Sequence, residues 1–238
     1  MNKKLQSEIM HNFTITGIWA AVFFIFTVTL KWLDVRPIGV NYTDVSWAGL
    51  NGGLNRLFGT HPFWDKFTNI LLVIAFLTAG YFAATGAMQL LKTKDFKKVD
   101  RTLYLLAAFY VLMILCFLFF ECITVNYRPV LIDGQPKSSY PSTHTLFVCC
   151  IMFTAISRFK RTLKNEKLCI GLNLGCVGVI FFTVLGRMLS GMHWFTDILG
   201  AVLLSIVLYK LYMTFLKLVE ADYKFELPFS LPRKKAKK

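Results

Sequence analysis

At 238 residues the chain is 55% hydrophobic and 16% aromatic, with mean hydropathy +0.54 and a net charge of +14. So much apolar surface excludes an ordinary soluble domain of this length. The basic residues are unevenly placed along the chain, so their excess is a topology signal, and nucleic-acid binding is the poorer explanation.

A run of about 20 apolar residues crosses a hydrocarbon core roughly 30 Å thick. Six segments approach that length: 13–30, 67–91, 102–122, 144–157, 168–186 and 195–216. The expected architecture is all-α, an integral membrane six-helix bundle forming one domain over residues 1–238. The first span lacks a small-residue cleavage site and reads as a retained helix. The connection after it, 32–66, is the longest. Within it, Trp47, Leu50, Leu54, Leu57 and Phe58 suit a short amphipathic helix in the headgroup layer, with Trp32 and Trp64 at its ends. A lid-like loop without substrate contact fits the same residues. His61 in this loop and His11 before the first span have no ligand partner at useful spacing and read as surface or interface residues. The fourth span, "HTLFVCCIMFTAIS", is short and requires its start to lie inside protein rather than lipid.

Alternate connections differ in charge. The N-terminus, 92–101, 158–167 and the tail ending "RKKAKK" hold 19 basic residues, against seven on the other side. Positive connections stay inside, so both termini are expected to be cytoplasmic. The tail reads as solvated, with contact to anionic headgroups as the second reading. The six cysteines lie in or at the ends of spans without a CxxC pair, so buried apolar thiols are expected rather than disulfides.

The connections after spans three and five open on one side. They are "ITVNYRPVLIDGQPKSSYPST" and the turn around "GRMLSGMHWFTD". Together they bring Arg128, Lys137, Ser142, His144, Arg187, His193 and Asp197 to one face. His193 and Asp197 are four apart and share a helix face, where a carboxylate can fix the imidazole tautomer. Ionisable groups in the outer turn of a membrane span are costly to place there. Arg128 and Arg187 are forks suited to phosphate oxygens. Ser142, Thr143 and His144 open the fourth span, whose free backbone N–H groups form a natural anion site. A proline-started, hydroxyl-capped helix would explain Pro141 and Ser142, but neither His144 nor the two arginines.

This inventory fits phosphoryl transfer. Cationic and N–H donors surround the equatorial oxygens, His193 attacks phosphorus to give a phosphohistidine, and His144 protonates the departing alkoxide. Asp133, Asp197 and the nearby Glu121 are too few carboxylates for a two-metal cage, so no metal or other cofactor is expected.

The order R-P, P-S-x-H, R-x5-H-x3-D resembles the type-2 phosphatidic acid phosphatase and haloperoxidase superfamily, and in particular its membrane branch of lipid phosphate phosphatases. The matching stretches are "ECITVNYRP" (121–129), "PSTH" (141–144) and "GRMLSGMHWFTD" (186–197). The resemblance implies a phosphate held by Arg128, Ser142, Thr143 and Arg187. His193 would be the nucleophile, Asp197 its orienter and His144 the acid. Three positions depart from the family pattern. Glu121 stands where the first motif has lysine, Thr143 where the second has glycine, and Gly186 where the third has serine. Glu121 is expected to pair with Arg128 or Arg187, or to meet a cationic headgroup, and Lys137 to replace the missing charge.

The leading reading is a metal-independent phosphatase acting on a membrane lipid phosphate of the phosphatidic acid, phosphatidylglycerophosphate or undecaprenyl diphosphate class. Its site would face outward at the cell membrane. A phosphotransferase using the same histidine and a catalytically silent lipid-binding protein are the alternatives. A transporter fits less well, because the ionisable cluster lies at one face rather than at the midplane.

Overall fold

The computed structural model describes residues 3–221. Seven α-helices follow in order: α1 Lys3–Thr29, α2 Ala48–Phe58, α3 Pro62–Thr93, α4 Arg101–Cys122, α5 Thr143–Thr162, α6 Glu166–Leu189 and α7 Phe195–Glu220. No strand occurs among the described residues. Pro62 occupies the first turn of α3, where its missing N–H is no loss. Asp100 caps α4 by accepting from Thr102 N at 2.9 Å, and Asn165 caps α6 by accepting from Leu168 N at 3.1 Å.

Most helices extend beyond the expected spans. Helix α1 begins ten residues before the expected 13, because backbone hydrogen bonding continues through "KKLQSEIMHN" after hydropathy has fallen. Among the described residues, five helices are long and apolar enough to cross a membrane: α1, α3, α4, α6 and α7. Helix α5, the short fourth span of the expected six, falls outside that set because its apolar run is diluted by His144, Arg158 and Lys160. Helix α5 is instead the most enclosed element. It packs against α3, α6 and α7, with α4 more lightly at its side. Its residues Thr145–Met152 are all buried, so the helix start lies inside protein, as its short apolar run requires.

The core cluster joins Leu146, Ile151 and Ala155 of α5 to Ala75 of α3, Phe109 of α4 and Leu204 of α7. The outward faces carry Phe24, Leu77, Phe119, Leu174 and Phe181, which in an integral membrane protein meet acyl chains. At one end of the bundle, Lys217 approaches Glu8 at 3.5 Å and Arg158 pairs with Asp100 at 2.7 Å. The tail beyond residue 221, including "RKKAKK", lies outside the described residues.

The opposite end is closed by the long connections. Helix α2 forms within the first of them, as expected, but Trp47 is no free headgroup anchor. Its ring packs edge-on to Phe26 and its indole N–H donates to Thr29 Oγ1 at 3.2 Å. Buried Asn51 ties α2 to α7, donating to Thr196 Oγ1 at 2.9 Å and accepting from Thr196 N at 3.2 Å. Gly191, at φ +67°, lies where a Cβ would strike Thr60. The connection therefore rests directly on the turn that carries His193.

Candidate active site

Residues 123–142 fold as an irregular hairpin whose register places the first motif against the third. Arg128 N donates to Lys137 O at 3.0 Å, and Ser139 N to Asn126 O at 3.0 Å. Trp194 Nε1 donates to Tyr127 O at 2.7 Å, fastening this hairpin to the start of α7. Ser142 N donates to Asp197 O at 3.0 Å, which joins the second motif to the third. Three stretches separated in sequence are thus bound to one another mainly through the backbone.

His193 sits in the turn between α6 and α7 and is buried. Its Nδ1 lies 3.0 Å from the Ser139 carbonyl, which can only accept, so Nδ1 carries the proton. The lone pair is then on Nε2, which accepts from Arg128 Nη1 at 3.2 Å. Burial, followed by the charges of Arg187, Arg128 and His144, holds this imidazole well below its ordinary pKa of 6.5. A neutral ring with a fixed tautomer and a directed lone pair is the form a nucleophile requires.

The partner that fixes the tautomer differs from expectation. Asp197 Oδ2 is 3.7 Å from His193 Nδ1, beyond hydrogen-bond range. Asp197 is engaged in building the turn: its Oδ2 accepts from Trp194 N at 2.9 Å, and Oδ1 accepts from Asn126 Nδ2 at 3.4 Å. Its carboxylate still stands behind the ring, on the side away from Nε2.

Arg128 is aimed by its neighbours, with Nε donating to Ser138 O at 3.2 Å and Nη1 reaching Met192 O at 3.5 Å. Ser142 is fully buried, and its Oγ accepts from Thr145 Oγ1 at 3.1 Å. The hydroxyl hydrogen of Ser142 remains for another acceptor, whereas its N–H is taken by Asp197. Thr143 is half-buried in the first turn of α5.

The remaining charged residues are distributed differently from the sequence reading. Lys137 does not supply a charge to the site; its Nζ pairs with Asp133 at 2.9 Å across the exposed hairpin tip. Glu121 is exposed at the end of α4 and pairs with neither arginine, although its charge is felt at Arg128. Arg187 finds a carboxylate elsewhere. Its Nη1 donates to Asp65 Oδ1 at 2.6 Å and to Thr68 Oγ1 at 3.3 Å, both on α3. His144 also meets α3, with Nε2 donating to Asn69 Oδ1 at 2.6 Å.

Sequence reasoning missed Asp65, Thr68, Asn69, Ser139 and Asn126. Asp65 and Asn69 are polar residues at helical spacing at the head of an apolar run, which is a usable signal. Ser139 acts through its carbonyl, which no side-chain pattern can reveal.

The family model of the PAP2 superfamily matches residues 74–219, more than half of the chain. The fold is similar to the crystal structure of a transmembrane PAP2-type phosphatidylglycerolphosphate phosphatase from Bacillus subtilis. The TM-score is 0.58 at 16% identity, covering 88% of this chain and 98% of that one. At that identity the likeness speaks for the fold alone. No curated protein matches the chain.

Proposed function

The chain belongs to the PAP2 superfamily, and on that footing we propose that it is a metal-independent lipid phosphate phosphatase working through a phosphohistidine. The observation that carries this reading is His193, held neutral with its Nε2 lone pair directed at Arg128 and its Nδ1 proton on the Ser139 carbonyl.

The reaction takes two displacements. In the first, Arg128 and Arg187, the Ser142 hydroxyl and the Thr143 N–H bind the phosphoryl oxygens, and His193 Nε2 forms a bond to phosphorus. The P–O bond to the lipid breaks, and the departing oxygen takes a proton from His144 in its imidazolium form, which the negative charge of the bound phosphate favours. In the second, water attacks the phosphohistidine while His144 accepts its proton. The N–P bond breaks, inorganic phosphate leaves and neutral His193 is restored. Asp197 stabilises the positive charge that the ring carries while it is phosphorylated. The metal-free route rests on the donor set, because arginines stand where a metal mechanism would place carboxylates.

The substrate is a lipid whose phosphate lies at headgroup level, of the phosphatidic acid, phosphatidylglycerophosphate or isoprenyl diphosphate class. The site faces the outer side of the cell membrane. In support, the connections 92–101 and 158–167, at the other end of the bundle, carry ten basic residues.

The test is phosphate release from a panel of lipid mono- and diphosphates by detergent-purified protein in chelator, beside His193→Ala. Release that persists in chelator and disappears in the variant is expected, and the best lipid identifies the class. Transfer of phosphate to an added alcohol or lipid, with little free phosphate, would replace hydrolysis by phosphotransfer. Equal release from His193→Ala would sink the reading.

A further inference from the structure

The first turns of α3 lie before residue 74, where the family match begins, yet they touch Arg187 and His144. The Arg187 contact is the more informative. Arg187 is 1% exposed, and its Nη1 makes a short charge-assisted hydrogen bond to Asp65. Thr68 supports the same nitrogen, and its own hydroxyl donates to Asp65 O at 3.0 Å. The opposite edge of the guanidinium is different. Arg187 Nε is buried and has no hydrogen-bond partner among the described residues. A buried donor without a partner is uncommon and costly, unless something else accepts from it.

The approach of α3 depends on one of the departures from the family pattern. A Cβ on Gly186 would come within 2.6 Å of Thr68 Cγ2 and 3.2 Å of the Trp64 ring. A serine at this position would push α3 away from α6. With glycine there, Thr68 fills the space and Asp65 reaches Arg187. The glycine that removes a hydroxyl from the third motif thereby admits a carboxylate from α3.

We propose that Asp65 is a positioning residue for phosphate binding: by holding Arg187 at Nη1, it turns the Nε edge of the guanidinium toward the phosphoryl group bound at His193. The inference rests on the phosphoryl-transfer reading above. An arginine fork recognises phosphate through its orientation, and a carboxylate clamped to one nitrogen fixes that orientation. Asp65 itself touches neither substrate nor nucleophile. Its hydrogen bond to the site is made to Arg187, and this sets it apart from a carboxylate that merely ties two helices together.

The experiment titrates orthovanadate, a phosphoryl-transfer mimic, into detergent-purified full-length protein by calorimetry, alongside lipid phosphate release. The proteins are wild type, Asp65→Ala, Asp65→Asn, Arg187→Ala and Arg187→Ala with Asp65→Ala, each checked for cooperative thermal unfolding. Asp65→Ala is expected to weaken vanadate and lower kcat/KM by about tenfold. Asp65→Asn, which keeps an oxygen acceptor, should lose less and provides a folded variant if Asp65→Ala is unstable. In the Arg187→Ala background, removing Asp65 should cost nothing and regain part of the lost affinity, because an unpaired carboxylate then no longer faces the anion. Equal losses from Asp65→Ala in both backgrounds, with wild type binding vanadate and releasing phosphate, would overturn this inference alone. Absence of vanadate binding by wild type would overturn it together with the functional reading.

Discussion

A single backbone carbonyl decides the state of His193. The Ser139 oxygen accepts the Nδ1 proton at 3.0 Å, while the carboxylate expected in that role stands at 3.7 Å and caps Trp194 instead. The ring is buried beside two arginines, and each of these influences disfavours its protonated form. An unfolded chain takes this proton near 6.5, whereas the folded one takes it only at lower pH. Folding is therefore opposed increasingly as pH falls below 6.5, and the neutral imidazole survives into that range. The acid limb of the kcat/KM profile, which reports the free enzyme, is expected below pH 6.5. A limb at or above that value, unchanged in Asp197→Asn, would show that His193 is not held neutral.

Among the elements, α3 is the one whose part exceeds its sequence signal. It supplies apolar surface to the core through Ala75 and Phe82, and polar groups to the site from its first turns. Its distance from α6 is set where Thr68 faces Gly186. Gly186→Ser is predicted to destabilise the fold by about 1–3 kcal/mol, the usual range for overpacking. Adding Thr68→Ala should recover most of that loss. Denaturant unfolding of the two variants in one detergent measures both effects, and a neutral Gly186→Ser would mean that the helices separate freely. The short helix α2 behaves differently. It is pinned by Asn51 to the start of α7, so it moves with the site end of the bundle rather than as an independent flap.

At the scale of the whole molecule, charge and chemistry occupy opposite ends. The Arg158–Asp100 pair and the basic connections lie at one end, and the site lies at the other. If positive connections are retained inside, a cysteine at Asp133 should react with an impermeant maleimide on intact cells. One at Lys164 should react only after the membrane is opened, with Cys122→Ser as background in both. Reversed labelling would place the site on the cytoplasmic side and remove lipids confined to the outer leaflet from consideration.

The sequence by itself determined the helical membrane class, since no soluble packing hides so much apolar surface. It also determined the three motif stretches, because functional side chains at fixed spacing are local information. Helix α5 was legible as an oddity, a span whose apolar run is too short for its start to lie in lipid, and this is the trace of a helix enclosed by others. Only the tertiary structure decided which groups pair. Asp65 and Arg187 are 122 positions apart, and Glu121 was the nearer candidate by motif. Lys137 met a partner four residues away and never reached the site. Ion pairs depend on where helices cross, helix crossings depend on the space at residues such as Gly186, and that space exists only once the chain has packed.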